Sequence, residues 1–132
     1  MRNYRELQVW NKAHSLTIDL YRASRAFPRE EMYGVTSQLR RAATSIGANL
    51  AEGCGRRTSN ELARFVRIAM GSASELDYHL LLCRDLEFLK DDEFKKLSAR
   101  LIEVRKMLTA FLSSVEEQIG SINSAAARAG RS

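Results

Sequence analysis

TSNELARFVRIAMGSASELDYHLLLCRDL occupies residues 58–86, and its apolar spacing decides the fold class. Leu62, Phe65, Ala69, Ser72, Leu76, His79, Cys83 and Leu86 recur at alternating steps of three and four. That pattern sets them along one seam of a single helix about seven turns long. Thr58 and Glu61 hold the S/T-x-x-E spacing, in which the threonine oxygen takes a free amide of the first turn. The helix is therefore predicted to open at Thr58 or Ser59.

Upstream, Val35, Leu39, Ala42, Ile46 and Leu50 lie on one side of a second helix over 35–54, with Ala43 beside them. Small residues crowd it (Ala42, Ala43, Ser45, Gly47, Ala48, Ala51), which suits close approach by a neighbour. A glycine inside a helix costs about 1 kcal/mol relative to alanine, so Gly47 calls for a bend or a tight contact. Gly53 and Gly55 suit a left-handed cap at the end of this helix. Earlier still, Val9, Ala13, Leu16, Leu20, Ala23 and Phe27 form one stripe over residues 7–26, with Trp10 and Tyr21 widening it. Pro28 disfavours helical geometry at Phe27 and stops the run; PREEMYG (28–34) is the link.

Downstream, LKDDEF (89–94) connects to a fourth helix, with Asp91 as its expected N-cap. Phe94, Leu97, Leu101, Val104, Leu108, Phe111 and Val115 again alternate three and four. Beyond Gly120, SINSAAARAGRS (121–132) shows no periodicity. The expectation is an all-α, antiparallel up-down four-helix bundle over residues 1–119 and a disordered C-terminal tail over 120–132.

The bulk composition agrees. With 132 residues, 45% hydrophobic and a single proline, the chain suits one domain with a sizeable core and long helices. No apolar run approaches the roughly 20 residues of a membrane helix, and charges interrupt every apolar stretch of the N-terminus, unlike a targeting peptide. Cys54 and Cys83 have no metal-type spacing and follow no secretory signal, which reads as reduced thiols in a cytoplasmic protein. The net charge of +5 is uneven. Residues 40–67 carry six arginines against Glu52 and Glu61, whereas residues 68–119 carry seven basic and ten acidic side chains. A basic segment favours phosphate-bearing partners or an acidic protein face; the plainer reading is a solvated surface with ion pairs.

Catalytic patterns do not emerge. A di-metal bundle site needs Glu-x-x-His pairs, yet Asn11 precedes His14 and Leu76 precedes His79 at that offset. Each histidine reads better as a packing residue. No arginine stands four to seven residues before either histidine, so the Arg-then-His spacing of small helical ribonucleases is missing. GCGRRTS (53–59) lacks the G-x-x-x-x-G-K phosphate-loop spacing and follows a helix rather than a strand. Arginines and a helix end near Cys54 favour a lowered thiol pKa, but no histidine base stands beside it in sequence. No enzyme activity, cofactor or metal is expected.

The motifs L-x-V-W (7–10), F-P-x-x-E-x-Y-G (27–34), Q-x-R-R-A-A (38–43), S-I-x-x-N-x-A-E-G (45–53) and G-S-x-x-E-L (71–76) occur in that order. Over roughly residues 4–118 the chain resembles the four-helix bundle proteins also called 23S rRNA-intervening sequence proteins, a bacterial family. Gly47 departs from it, standing where many members carry proline. The resemblance implies an antiparallel bundle that assembles as a homopentamer around a central channel. A related branch, the accessory proteins of diversity-generating retroelements, implies RNA or DNA and a reverse transcriptase, or another protein, as partners. No membrane partner is implied.

Arg40, Arg41, Arg56, Arg57, Arg64 and Arg67 are the candidate nucleic-acid-binding residues. Arg40 and Arg41 are adjacent on a helix and point about 100° apart. One is expected to pair with Glu52, Glu61 or Glu75, leaving the other for a partner or a channel. Asn60, Arg64 and Arg67 share one face, where phosphate contacts would be salt-sensitive; intersubunit ion pairs are the competing role. The alternative function is a protein-binding scaffold without nucleic acid, with Tyr21, Tyr33 and Trp10 as anchors, although core packing suits Trp10 better.

Overall fold

Four apolar stripes joined by short links can bury one another only by folding back at each link. The computed structural model, which describes residues 1–131, has that form. Helix α1 spans Gln8–Ser24, α2 Val35–Cys54, α3 Ser59–Asp85 and α4 Asp91–Gly130, with 3-10 turns at Tyr4–Glu6 and Arg29–Glu31. No strand occurs among the described residues. Helix α1 packs on α2 and α4, and α3 packs on the same two; among the described residues the backbones of the diagonal pairs stay farther apart.

Cross-helix pairs fix the directions. Arg40 meets Ser24 while the later Gly47 meets the earlier Trp10, so α1 and α2 run antiparallel. Ser45 meets Ser72 and Gly53 meets Phe65 between α2 and α3. Asp77 pairs with Arg105 and Arg84 covers Phe94 between α3 and α4. Lys12 pairs with Glu103 and Asp19 with Arg100 between α1 and α4.

The core holds Leu16 and Leu20 of α1, Leu39, Ile46 and Leu50 of α2, Leu76 and Leu80 of α3, and Leu101 and Leu108 of α4. Truncating one such leucine to alanine typically costs 2–5 kcal/mol. The 58–86 seam is buried from Leu62 to Cys83, but Leu86 falls at the end of α3 and is 45% exposed. Thr58 caps α3 as read, its Oγ1 accepting from the Glu61 amide at 3.1 Å.

Four local expectations are corrected. Helix α1 ends at Ser24, short of Ala26. Helix α2 ends without a left-handed glycine: Gly55 closes it at φ −81°, and Gly53 lies within the helix. The left-handed residue is Glu87 instead, φ 65°, just past α3. Asp91 is the first residue of α4 rather than its cap; Lys90 takes that place, and Asp91, Asp92 and Glu93 favour the positive helix end from within the first turn. Finally, α4 does not stop at Gly120 but continues to Gly130, exposed along this whole extension, where a disordered tail was expected. Ala125, Ala126, Ala127 and Ala129 supply the helix propensity there. Ser132, the last residue of the expected tail, lies outside the described residues.

Candidate nucleic-acid interface

The six arginines do not form one patch. Arg40 is tied into the fold: its Nε donates to Ser24 Oγ at 2.8 Å, its Nη2 to the Tyr21 carbonyl at 3.3 Å, and its guanidinium lies 4.7 Å from the Tyr21 ring centroid. It thereby satisfies a carbonyl near the C-terminus of α1. Arg41, on the next face, reaches Glu75 at 3.6 Å. This is the arginine–acid pairing expected between helices, and being largely exposed it contributes at most about 1 kcal/mol.

The other four gather where α2 gives way to α3. Gly53 lets α2 come close enough that Phe65 lies against it. The guanidinium groups of Arg56 and Arg64 lie 5.0 and 4.8 Å from the centroid of that ring. Arg56 also holds Glu52 at 2.9 Å. Arg57, Arg64 and Arg67 are exposed and form no ion pair among the described residues. From Arg64 a solvent-facing stripe runs along α3 through Arg67, Gly71, Ser74, Tyr78 and Leu81 at steps of three and four. Its start is cationic, its middle small, its end apolar.

A polar seam that sequence reading missed joins α2 to α3. Ser45 Oγ lies 2.8 Å from Ser72 Oγ and accepts from Asn49 Nδ2 at 2.9 Å. Glu75 Oε1, beside Arg41, lies 3.2 Å from His79 Nε2, while His79 Nδ1 is buried without a partner. His79 is thus a packed residue with one side-chain partner. His14 is exposed and stacks on Trp10, ring centroids 4.7 Å apart and planes 9° apart. Trp10 in turn lies against Gly47: a β-carbon there would stand 3.3 Å from its Nε1. That is the tight contact the interior glycine called for.

Neither thiol is activated. Burial pushes the Cys54 pKa up and outweighs the attraction of Arg2 and the N-terminal amine, reversing the direction expected from its neighbours in sequence. Cys83, wholly buried, is pushed up to about 11, chiefly by burial and further by the charge of Glu31. No three His, Cys, Asp or Glu side chains gather as metal ligands would among the described residues, and no described helix is long and apolar enough to cross a membrane.

The family model described as 23S rRNA-intervening sequence protein matches residues 5–110, which takes in α1 to α3 and the first half of α4. The chain belongs to that family. A solved structure agrees on the fold: a protein with unknown function from the S23 ribosomal protein family of Bacteroides thetaiotaomicron VPI-5482. It is 22% identical, superposes with a TM-score of 0.74, and the match covers 80% of this chain and 95% of that one. No curated protein matches the sequence. The family match ends at residue 110, so the overhang of α4 lies beyond it.

A further basic place lies at the far end of α2, where the link from α1 enters. A cleft of about 230 Å³ opens there, lined in part by Arg25, Arg29, Arg40 and Thr36. Sequence reading treated this link as a connection only. Its one signal was a pair of arginines flanking Phe27–Pro28.

Proposed function

We propose that this protein is a non-catalytic, cytoplasmic accessory module that binds a nucleic-acid backbone through the start of α3 and works as a homo-oligomer, five copies being the number its family resemblance implies. One observation carries the reading: Arg57, Arg64 and Arg67 stand exposed without carboxylate partners among the described residues, and Arg64 shares the Phe65 ring with Arg56. Unpaired guanidinium groups on and just before a rigid helix can meet phosphates without first breaking ion pairs. The family's link to rRNA intervening sequences makes RNA the first ligand to try.

Self-association draws support from the other part of the same stripe. Gly71 sits in mid-helix with nothing within 4 Å of a built β-carbon, so no contact within the chain accounts for its cost. Tyr78, 58% exposed, and Leu81 continue the face. A second copy seated on this face would use both features.

The test is fluorescence anisotropy with a labelled RNA across a salt series. Affinity is expected to fall steeply with salt, and Arg64→Glu with Arg67→Glu to weaken binding more than about tenfold while flattening the log–log salt slope by roughly 1.5. Binding that ignores both salt and the double substitution excludes this role.

A further inference from the structure

We propose that the cleft between the end of α1 and the start of α2 is a binding site for a phosphate group, best matched by the dianionic phosphate of a small monoester. It lies about 30 Å of helix away from the α3 arginines, at the opposite end of α2, and does not depend on them.

Three guanidinium side chains line it, those of Arg25, Arg29 and Arg40, and no acidic residue does. Arg25 and Arg29 form no ion pair or side-chain hydrogen bond among the described residues. The nearby carboxylate of Glu31 is turned to the start of α2, Oε2 accepting from the Val35 amide at 3.3 Å. Arg40 is held in place by Ser24, the Tyr21 carbonyl and the Tyr21 ring, and its Nη1 makes no hydrogen bond among the described residues. A guanidinium fixed in advance loses little freedom when it meets an anion.

An independent observation comes from Thr36. This residue lines the same cleft and is only 4% exposed, yet its Oγ1 is buried with no hydrogen-bond partner among the described residues. Buried hydroxyls are nearly always satisfied, so an orphan at a cationic cleft points to a ligand oxygen as its partner.

Phosphate fits better than carboxylate. A phosphate monoester carries close to two negative charges near neutral pH and offers three terminal oxygens, against one charge and two oxygens for a carboxylate. Three cations and a hydroxyl match the former. The remaining wall includes Phe27, Pro28 and the half-exposed Met32, a flexible apolar surface on which a sugar-sized organic part can rest. The volume is below the roughly 300–1,000 Å³ usual for drug-sized ligands, which limits the occupant to something small.

The experiment is isothermal titration of the full chain with inorganic phosphate, then with a 5′-mononucleotide, then with a short oligoribonucleotide carrying no terminal phosphate, all at matched ionic strength. Saturable one-to-one binding of phosphate is expected. Arg25→Ala and Arg29→Ala should each weaken it roughly tenfold. Thr36→Val keeps the shape of the side chain and should weaken phosphate binding without lowering the melting temperature in chloride. Arg64→Glu with Arg67→Glu should leave phosphate binding unchanged, which separates this cleft from the α3 surface. With Arg64→Glu and Arg67→Glu in place to remove the α3 surface, tighter binding of the mononucleotide than of the oligomer supports the monoester, whereas equal or tighter binding of the oligomer overturns it. Absence of saturable phosphate binding, or binding indifferent to Arg25, Arg29 and Thr36, overturns the proposal.

Discussion

Gly53 of α2 approaches α3 so closely that a β-carbon built on it would stand 2.8 Å from the Cβ of Phe65. Phe65 Cβ is fixed to its backbone and cannot rotate aside, so α2 and α3 would have to separate. Gly53→Ala gains about 1 kcal/mol of helix propensity but incurs overpacking that typically costs 1–3 kcal/mol. A net loss of up to about 2 kcal/mol is expected in urea unfolding, together with displacement of the Arg56 and Arg64 groups carried on that ring.

Gly71 is the opposite case, with open space where its β-carbon would be. At concentrations where light scattering reports a monomer, Gly71→Ala should stabilise the bundle by about 0.5–1 kcal/mol. Gly71→Arg should leave the monomer folded and lower the mass seen at higher concentration. An unchanged mass would place any interface between copies elsewhere.

Asp19 titrates below its ordinary value of 3.8, first because Arg100 donates to it at 2.6 Å and then because Arg100 and Arg22 are positive; burial opposes this only in part. A depressed carboxylate contributes stability above its unfolded pKa and loses it as the pH falls through the folded one. Both partners are partly exposed, so Asp19→Asn should cost only about 0.5–1 kcal/mol at pH 7. The gap from wild type should close as the pH is taken down through 3.8 and below.

For Cys83 the sign is reversed. Its folded pKa, about 11, lies above the ordinary 9.0, so its share of stability is complete below pH 9.0 and is lost as the pH rises to about 11. In unfolding measured from pH 8 to 11, wild type should lose about 2–3 kcal/mol more than Cys83→Ala. Below pH 9 the thiol should react with a disulfide reagent no faster than the protein opens.

Removing residues 121–132 should leave the melting temperature within about 1 °C, since no residue there is buried among the described ones. The helical circular dichroism signal should fall by the share of those residues. A melting temperature lowered by several degrees would mean that the overhang is covered in solution.

Much of this fold could be read from spacing alone, because each helix buries a stripe that a period of 3.6 selects. Val9, Leu16, Leu39, Ile46, Leu76 and Leu108 all fall where the alternation of three and four puts them. Ends were harder: Asp91 has the chemistry of a cap yet lies inside α4, Gly53 and Gly55 suit a left-handed cap that α2 does not use, and in the stretch after Gly120 intrinsic propensity, not periodicity, favoured helix. The basic character of residues 40–67 was visible as well, but the task of each arginine depends on partners remote in sequence. Arg40 is engaged by Ser24 and Tyr21 on another helix, whereas Arg64 and Arg67 find no acid among the described residues. Thr36 and Arg25 share a cleft only because α1 and α2 close on each other, which no local pattern announces.

The polar seam between α2 and α3 has a consequence for how the bundle chooses its alignment. Leucine and alanine stripes repeat every seven residues, so sliding α3 by one heptad, about 10.5 Å along α2, would still bring apolar groups together. Ser45 and Ser72, however, meet in one alignment only, and so do Arg41 and Glu75. A slipped bundle would strand Ser72 without its partner on α2, at a cost of roughly 1–3 kcal/mol for that buried group. The seam adds little adhesion, but it leaves the chain a single arrangement where grease alone would tolerate several.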